Sequence, residues 1–369
     1  VTNRNAAERR NAACARIAEH VAALGRRGSF AARRIAIMEV CGTHTVAIHR
    51  AGLRGLLPAQ LKLVSGPGCP VCVTPQSYVD ALIDLSHRPG VRVATYGDMI
   101  RVPGRQTTLE RAQGSGARVA IVYSVMDALD LARRNPAEQI VFAGVGFETT
   151  TPPTAVAVKL ARQEQLANFT VLSAHKLILP AMAALLSGGQ VLIDGFLLPG
   201  HVSVILGSDA YRPVAAQFGK PCVVAGFEPQ EMLDAIERIL AQLAAGHSEV
   251  ENAYPRAVSA AGNRAAWAVI EEVFQPADTP WRGLGTIPGS GLALRDAFAA
   301  QDAARRFGIT VTAREDDHGC RCGQVICGLI EPLECPLFAT ACTPANPVGP
   351  CMVSREGNCQ AHYKYARNA

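Results

Sequence analysis

No stretch of this chain reaches the roughly 18 consecutive apolar residues that a membrane span needs, and Val1 to Ala13 is polar and charged where a secretory leader carries an apolar core. A soluble, cytoplasmic protein without membrane attachment is therefore expected. The net charge is only +5, and the basic residues are scattered apart from short pairs such as Arg9-Arg10, Arg26-Arg27 and Arg33-Arg34. The basic stripe of a nucleic-acid binder is missing, so no nucleic-acid partner is expected. Gly144-Val145-Gly146 is too short for a dinucleotide fingerprint, and no Walker lysine motif occurs. A paired C-x-x-C…C-x-x-C is also lacking, which argues against a zinc ribbon.

What the chain has is sulfur. Twelve cysteines occur among 369 residues, and seven of them fall between Cys320 and Cys359. A reducing cytoplasm disfavours a disulfide framework, which leaves metal binding or redox work as the expected use of these thiols. With 49% hydrophobic residues the chain is long enough for two or three domains with real cores.

Periodicity predicts a helix over Asn5 to Leu24, with Ala12, Ile17, Val21 and Leu24 on its apolar face. Strands are expected at 34–40, 61–65, 91–96, 119–123, 139–145, 170–173, 191–197 and 222–225, with helices between most of them. Such alternation argues for parallel sheets covered on both faces, whose carboxyl ends carry the ligands. The expected fold is thus α/β, with two similar parallel-sheet domains and a small Cys-rich domain. The expected boundaries are 1–30, an N-terminal helix packing on the tail; 31–138, a first α/β domain; 139–250, a second; and 251–369, a helical and Cys-rich tail. Ile35 to Thr45 and Val141 to Thr151 share one pattern of strand, polar Gly/Thr turn and helix, which suggests an old duplication. Gly283 to Gly291 reads as a Gly/Pro-rich connector and Ala293 to Phe307 as a helix. From Cys320 onward apolar periods are few, so the tail needs a staple other than a hydrophobic core.

Chemistry concentrates between Glu39 and Cys72. Cys41-Gly42-Thr43-His44 follows a predicted strand, and Gly66-Pro67-Gly68-Cys69-Pro70-Val71-Cys72 follows the next. Cys41 sits at a strand-to-helix turn, while Cys69 and Cys72 form a C-x-x-C near a helix start, where amides and dipole lower a thiol's pKa. The bland alternatives are packing thiols or half of a metal site. His44, one turn after Cys41, is placed to orient or deprotonate that thiol or to act as a second ligand; structural hydrogen bonding is the commoner use. Glu148, Thr149, His175, Lys176, Asp194, His201 and Glu228 lie at predicted strand ends and suit a shared cleft, although Thr149 and Thr150 equally suit helix capping. In the tail, Cys320, Cys322, Cys327, Cys335, Cys342, Cys351 and Cys359 have the irregular spacing of an iron–sulfur protein more than that of a zinc site. Cys14 and Cys222 read as incidental buried thiols.

Cys-Gly-Thr-His at 41–44, Gly-Pro-Gly-Cys-Pro-Val-Cys at 66–72, Gly-Phe-Glu-Thr-Thr at 146–150 and Cys-Met-Val-Ser-Arg-Glu-Gly-Asn-Cys at 351–359 together resemble the HypD family of hydrogenase maturation factors, in order and over nearly the whole chain. The resemblance implies two α/β domains with an iron–sulfur domain. It also implies a role in assembling the iron centre of nickel–iron hydrogenases, with its cyanide and carbon monoxide ligands. The implied partners are a HypC-type chaperone and a HypE-type cyanide donor. Cys41 would hold the iron jointly with the chaperone, and Cys69 and Cys72 would be the redox pair. Cys335, Cys342, Cys359 and one of Cys320 or Cys322 would ligate a 4Fe-4S cluster, with Cys327 and Cys351 outside the ligand set. Cys41 and the Cys69/Cys72 pair should then face a common cleft, with the tail folded back toward it. Two readings compete: a free-standing thiol–disulfide oxidoreductase with an iron–sulfur accessory domain, and a zinc-stabilised binding module.

Overall fold

The computed structural model describes residues 2–27, 29–314 and 319–366. Glu315, Asp316, Asp317 and His318, which open the Cys-rich tail, lie outside the described residues. The fold is α/β, with two wholly parallel sheets and a cysteine-rich C-terminal unit. Strands β1 (Ile35–Glu39), β2 (Leu61–Ser65), β7 (Gly195–Pro199), β8 (Cys222–Ala225) and β9 (Val250–Asn252) form one sheet in the order β2-β1-β7-β8-β9. Strands β3 (Val91–Thr95), β4 (Val119–Ile121), β5 (Gln139–Gly146) and β6 (Phe169–His175) form the other in the order β4-β3-β5-β6. From Ile140 on, β5 is buried along its whole length. This is the signature of a parallel strand covered on both faces.

The expected boundary between 138 and 139 is not where the sheets divide. The chain leaves the first sheet after β2, builds the whole second sheet, then returns through the pairing of Ile37 with Gly195. A cut at 138 would separate β3 and β4 from β5, although β3 pairs with both β4 and β5. Strand–helix alternation reads the same in either sheet, so local periodicity carries no record of which distant strand is the partner. The expected strand at 191–197 begins only at Gly195, because Asp194 turns inward to accept from the Ala36 amide at 2.8 Å and pairs with Arg33.

The N-terminal helix, Thr2–Gly25, packs on the first sheet and not on the tail. Ala13, Ile17, Val21 and Leu24 bury against Ile35, Ile37 and the residues Leu233, Ile236 and Leu240 of helix Pro229–Ala245. Arg16 adds a two-pronged bond to Glu237 at 2.7 and 2.9 Å.

The supposed connector at 283–291 is part of an antiparallel hairpin, β10 (Phe274–Trp281) and β11 (Gly285–Leu294). Its turn holds Gly283 and Gly285 at φ +79° and +72°, a region open to glycine at little cost. Trp281 is buried and its indole N–H donates to Ser290 Oγ at 2.8 Å. The expected helix 293–307 is only the turn Ala303–Phe307, capped by Asp302, because Leu294 ends β11 and Phe298 breaks the intervening 3-10 segment. Among the described residues no helix is long and apolar enough to cross a membrane.

Candidate functional site

Cys41 is the N-cap of helix Gly42–Arg50, directly beyond the carboxyl end of β1. The loop after β2 runs alongside it, tied by Gly66 N to Glu39 O at 2.8 Å and Gly42 N to Gly68 O at 3.1 Å. Absent side chains make this contact possible. A Cβ on Gly68 would stand 2.2 Å from the Cys41 amide nitrogen, and one on Gly42 would stand 2.5 Å from Glu356 Cβ. The glycines of the two motifs therefore let three segments meet at Cys41: its own helix, the Cys69–Cys72 loop and the tail. Cys69 and Cys72 are joined by a disulfide, and the Cys72 amide donates to Cys69 Sγ at 3.2 Å.

All three sulfurs are buried. Burial pushes the Cys41 thiol up to about 12, against the pull of the Thr43 and His44 amides at the helix start. Two residues earlier, the buried Glu39 carboxylate accepts from the Cys41 amide at 2.9 Å and from the Thr45 hydroxyl. Desolvation outweighs these bonds and holds Glu39 up at about 7. Glu39 lay within the stretch singled out from sequence, but nothing in its spacing marked it as a buried acid.

His44 does not serve Cys41 through its ring. Nε2–H donates to Gly226 O at 2.8 Å, Nδ1 is buried with no partner among the described residues, and burial lowers its pKa to about 4. The ring lies 5.0 Å from Phe227, which in turn lies 4.1 Å from the ring of His201. His201 thus joins the Cys41 face of the first sheet through an aromatic residue that sequence reasoning missed. Glu148 comes from the end of β5 in the other sheet. Its Oε1 accepts from Ile178 N at 2.9 Å, its Oε2 has no partner among the described residues, and burial raises it to about 7. The fully buried Tyr211, bonded to Ser203 at 3.0 Å, has its ionisation disfavoured first by desolvation and further by the charges of Glu148, Cys222 and Cys41. Glu148 and Cys41 are therefore brought near one buried phenol. Thr149 is half-buried, and its neighbours Thr150 and Thr151 turn their hydroxyls back to Phe147 O at 3.2 and 3.0 Å.

The tail closes over the Cys41 helix. Thr43 Oγ1 donates to Glu356 Oε1 at 2.8 Å, and His49 packs edge-on against His362 at 5.3 Å. On the other side Arg282, next to the hairpin, donates from its amide to Val73 O at 2.9 Å and from Nε to Thr74 O at 3.1 Å.

Within the tail, the Cys322 thiol is pushed up by its hydrogen bond with Cys320 and by burial. Cys359 is pushed up by its bond with Cys351 and by burial, and it also feels Cys322 and Cys320. Cys342 feels Cys320 and Cys335, with its sulfur accepting from Val348 N at 3.3 Å. Cys327 turns away to Gly283 O at 3.4 Å. Cys351, expected to stand outside the ligand set, lies within the group, its sulfur 3.2 Å from the Cys359 amide. Among the described residues, no three His, Cys, Asp or Glu side chains are spaced to hold a single metal ion.

A family model described as the Hydrogenase formation hypA family, HypD, matches residues 12–366. The chain is 46% identical over 342 residues to the hydrogenase maturation factor HypD of Azotobacter vinelandii, covering 91% of this chain and 90% of that one. It is 44% identical over 360 residues to HypD of Cupriavidus necator, covering 95% and 94%. To HypD of Escherichia coli K12 it is 45% identical over 336 residues, covering 91% and 90%.

Proposed function

This chain belongs to the HypD family of hydrogenase maturation factors, and we propose that it is the scaffold on which the iron of a nickel–iron hydrogenase centre receives its cyanide and carbon monoxide ligands. The iron is cargo, held by Cys41 jointly with a HypC-type chaperone, and a HypE-type protein donates the cyanide. One observation carries the reading: the Cys41 helix, the Cys69–Cys72 disulfide loop and the tail segment at Glu356 abut one another at a single point.

Low-spin iron with strong-field carbon ligands is a soft centre that thiolate suits. Cys41 must lose its proton to bind it, and the Thr43 and His44 amides favour the thiolate that burial disfavours. Glu39 fixes the Cys41 backbone. Opening the Cys69–Cys72 disulfide takes up two electrons and two protons, and its closure returns them. The donor set of the tail fits a 4Fe-4S cluster. It is made of thiols, Gly349 leaves room that a Cβ 2.6 Å from Cys320 Sγ would fill, and thiolates that each bind a different iron need not converge on one point. Cys335, Cys342, Cys359 and one of Cys320 or Cys322 would hold it, and Cys351 lies beside Cys359. When bound, the cluster would supply one-electron redox chemistry.

Burial weighs against the free-standing oxidoreductase, since an attacking thiolate must reach a disulfide sulfur and Cys69 and Cys72 are only 6% and 1% exposed. Anaerobic copurification with the HypC-type partner tests the proposal. Infrared bands of cyanide and carbon monoxide on iron are expected, and Cys41→Ala should abolish them; bands that survive the substitution would refute the role of Cys41. Iron and sulfide content after anaerobic reconstitution tests the tail separately.

A further inference from the structure

Between the edge strand β6 and the hairpin β10–β11 lies a cavity of about 210 Å³ whose walls include Leu172, Lys176, Leu292, Leu294 and Val311. Lys176, immediately after β6, is 1% exposed. Its ammonium donates to Pro280 O at 2.8 Å and sits 4.9 Å from the centroid of the Trp281 ring. An ammonium has three donors, and among the described residues no carboxylate is paired with this one. A buried charge compensated only by a carbonyl and a ring face is costly to keep.

Most of the other polar groups around the cavity are engaged elsewhere. Asp278 of β10 accepts from Gly289 N at 2.9 Å. Asp302 caps helix Ala303–Phe307 through the Ala304 amide at 2.9 Å and faces Arg305 at 3.3 Å. Tyr78, from helix Gln76–His87, donates its hydroxyl to Leu172 O at 2.8 Å. Ser173 donates to Leu292 O at 2.6 Å, and the adjacent His175 is engaged with Thr154 at 3.3 Å. Among the described residues, neither the Asp278 nor the Asp302 carboxylate is paired with Lys176.

We propose that this cavity binds a small monocarboxylate, with its charged end on the Lys176 ammonium and its apolar body against Leu172, Leu292 and Val311. The single cation suits one negative charge, and the Asp278 and Asp302 carboxylates on the walls would add to the cost of a second, as a phosphate dianion would bring. The volume, below that of pockets for drug-sized ligands, limits the occupant to a few heavy atoms. The ligand would also recharge its own receptor, because burial holds the Lys176 amine down at about 7.

Titration calorimetry of the full chain with acetate, butyrate and benzoate, in two buffers of different ionisation enthalpy, tests this. Binding of butyrate is expected at pH 8 with uptake approaching about one proton per site, and with little uptake at pH 6. Lys176→Met should weaken the affinity by about tenfold or more, the worth of a charge-assisted hydrogen bond. The proposal fails if none of the three acids binds at millimolar concentration, if Lys176→Met binds as well as the wild type, or if binding at pH 8 takes up no proton. Should Lys176→Met not fold, the proton uptake of the wild type decides alone.

Discussion

Glu148 shows what a single buried acid does to this molecule. Its carboxyl is raised from 4.5 to about 7 because burial penalises the charged form, and among the described residues Oε2 has no donor. The folded state therefore binds this proton more tightly than the unfolded chain does. The stability contributed is complete below about pH 4.5 and is lost as pH rises through about 7. Glu39 has the same sign. His44 and His175, lowered to about 4 and about 3 by burial, have the opposite sign: their neutral forms favour the fold above pH 6.5, and that advantage disappears as pH falls. The whole-protein curve is thus a sum of opposed trends, and only a difference isolates one residue. Glu148→Gln should exceed the wild type in stability by about 1–3 kcal/mol at pH 8 and converge with it near pH 4.5. Urea unfolding at both values checks this; a variant less stable at pH 8 would mean that the carboxylate is charged and paired. The sequence placed Glu148 at a strand end facing a cleft. The missing donor at Oε2 depends on distant packing and leaves no trace in local spacing.

Among the elements, helix Thr2–Gly25 was legible as a helix and illegible as to its partner. The stripe of Ile17, Val21 and Leu24 follows from periodicity, with Ala13 buried in place of the expected Ala12. Its destination on helix Pro229–Ala245 is a contact more than 200 residues away in sequence, as Arg16 and Glu237 show. If that packing is what holds the helix, Ile17→Ala should cost about 2–5 kcal/mol in urea or guanidinium unfolding, as for other fully buried isoleucines. A loss near zero would mean that the helix frays from the domain in solution. The hairpin β10–β11 is the complementary case. Its glycines and prolines were visible, but they were read as a connector because nothing local reveals that Trp281 and Ser290 face each other across it. The strands β2 and β8, by contrast, appear with the expected bounds, since β8 is a short apolar run and β2 is one but for Lys62 and Ser65, each flanked by Gly or Pro.

At the scale of the whole molecule, the candidate site is an assembly of three stretches that the chain keeps far apart: 39–45, 66–72 and 351–359. Each was legible as a motif, and their meeting was expected. The glycines that permit it act as absences, which a sequence displays without saying what approaches them. Gly68 admits the Cys41 backbone and Gly42 admits Glu356. The tail is thus the outer wall of the Cys41 site, fastened there by the hydrogen bond between Thr43 and Glu356 at 2.8 Å. Were the wall loosened, Cys41 should become reachable without the domains unfolding. Glu356→Ala removes the bond and the carboxylate beside Gly42, while keeping the Cβ that stands nearest to it. The global stability should change by no more than about 1–2 kcal/mol, since one half-buried hydrogen bond is lost. The rate of Cys41 alkylation by iodoacetamide at pH 8, read by mass spectrometry with the disulfide kept oxidised, should rise by about tenfold, through exposure and through relief of the burial that holds the thiol near 12. Cys222, fully buried at the start of β8, has no bond to the tail among the described residues; it is the internal control and should keep its wild-type rate. Equal acceleration of both thiols would show general loosening, and no acceleration of Cys41 would show that the tail does not gate it.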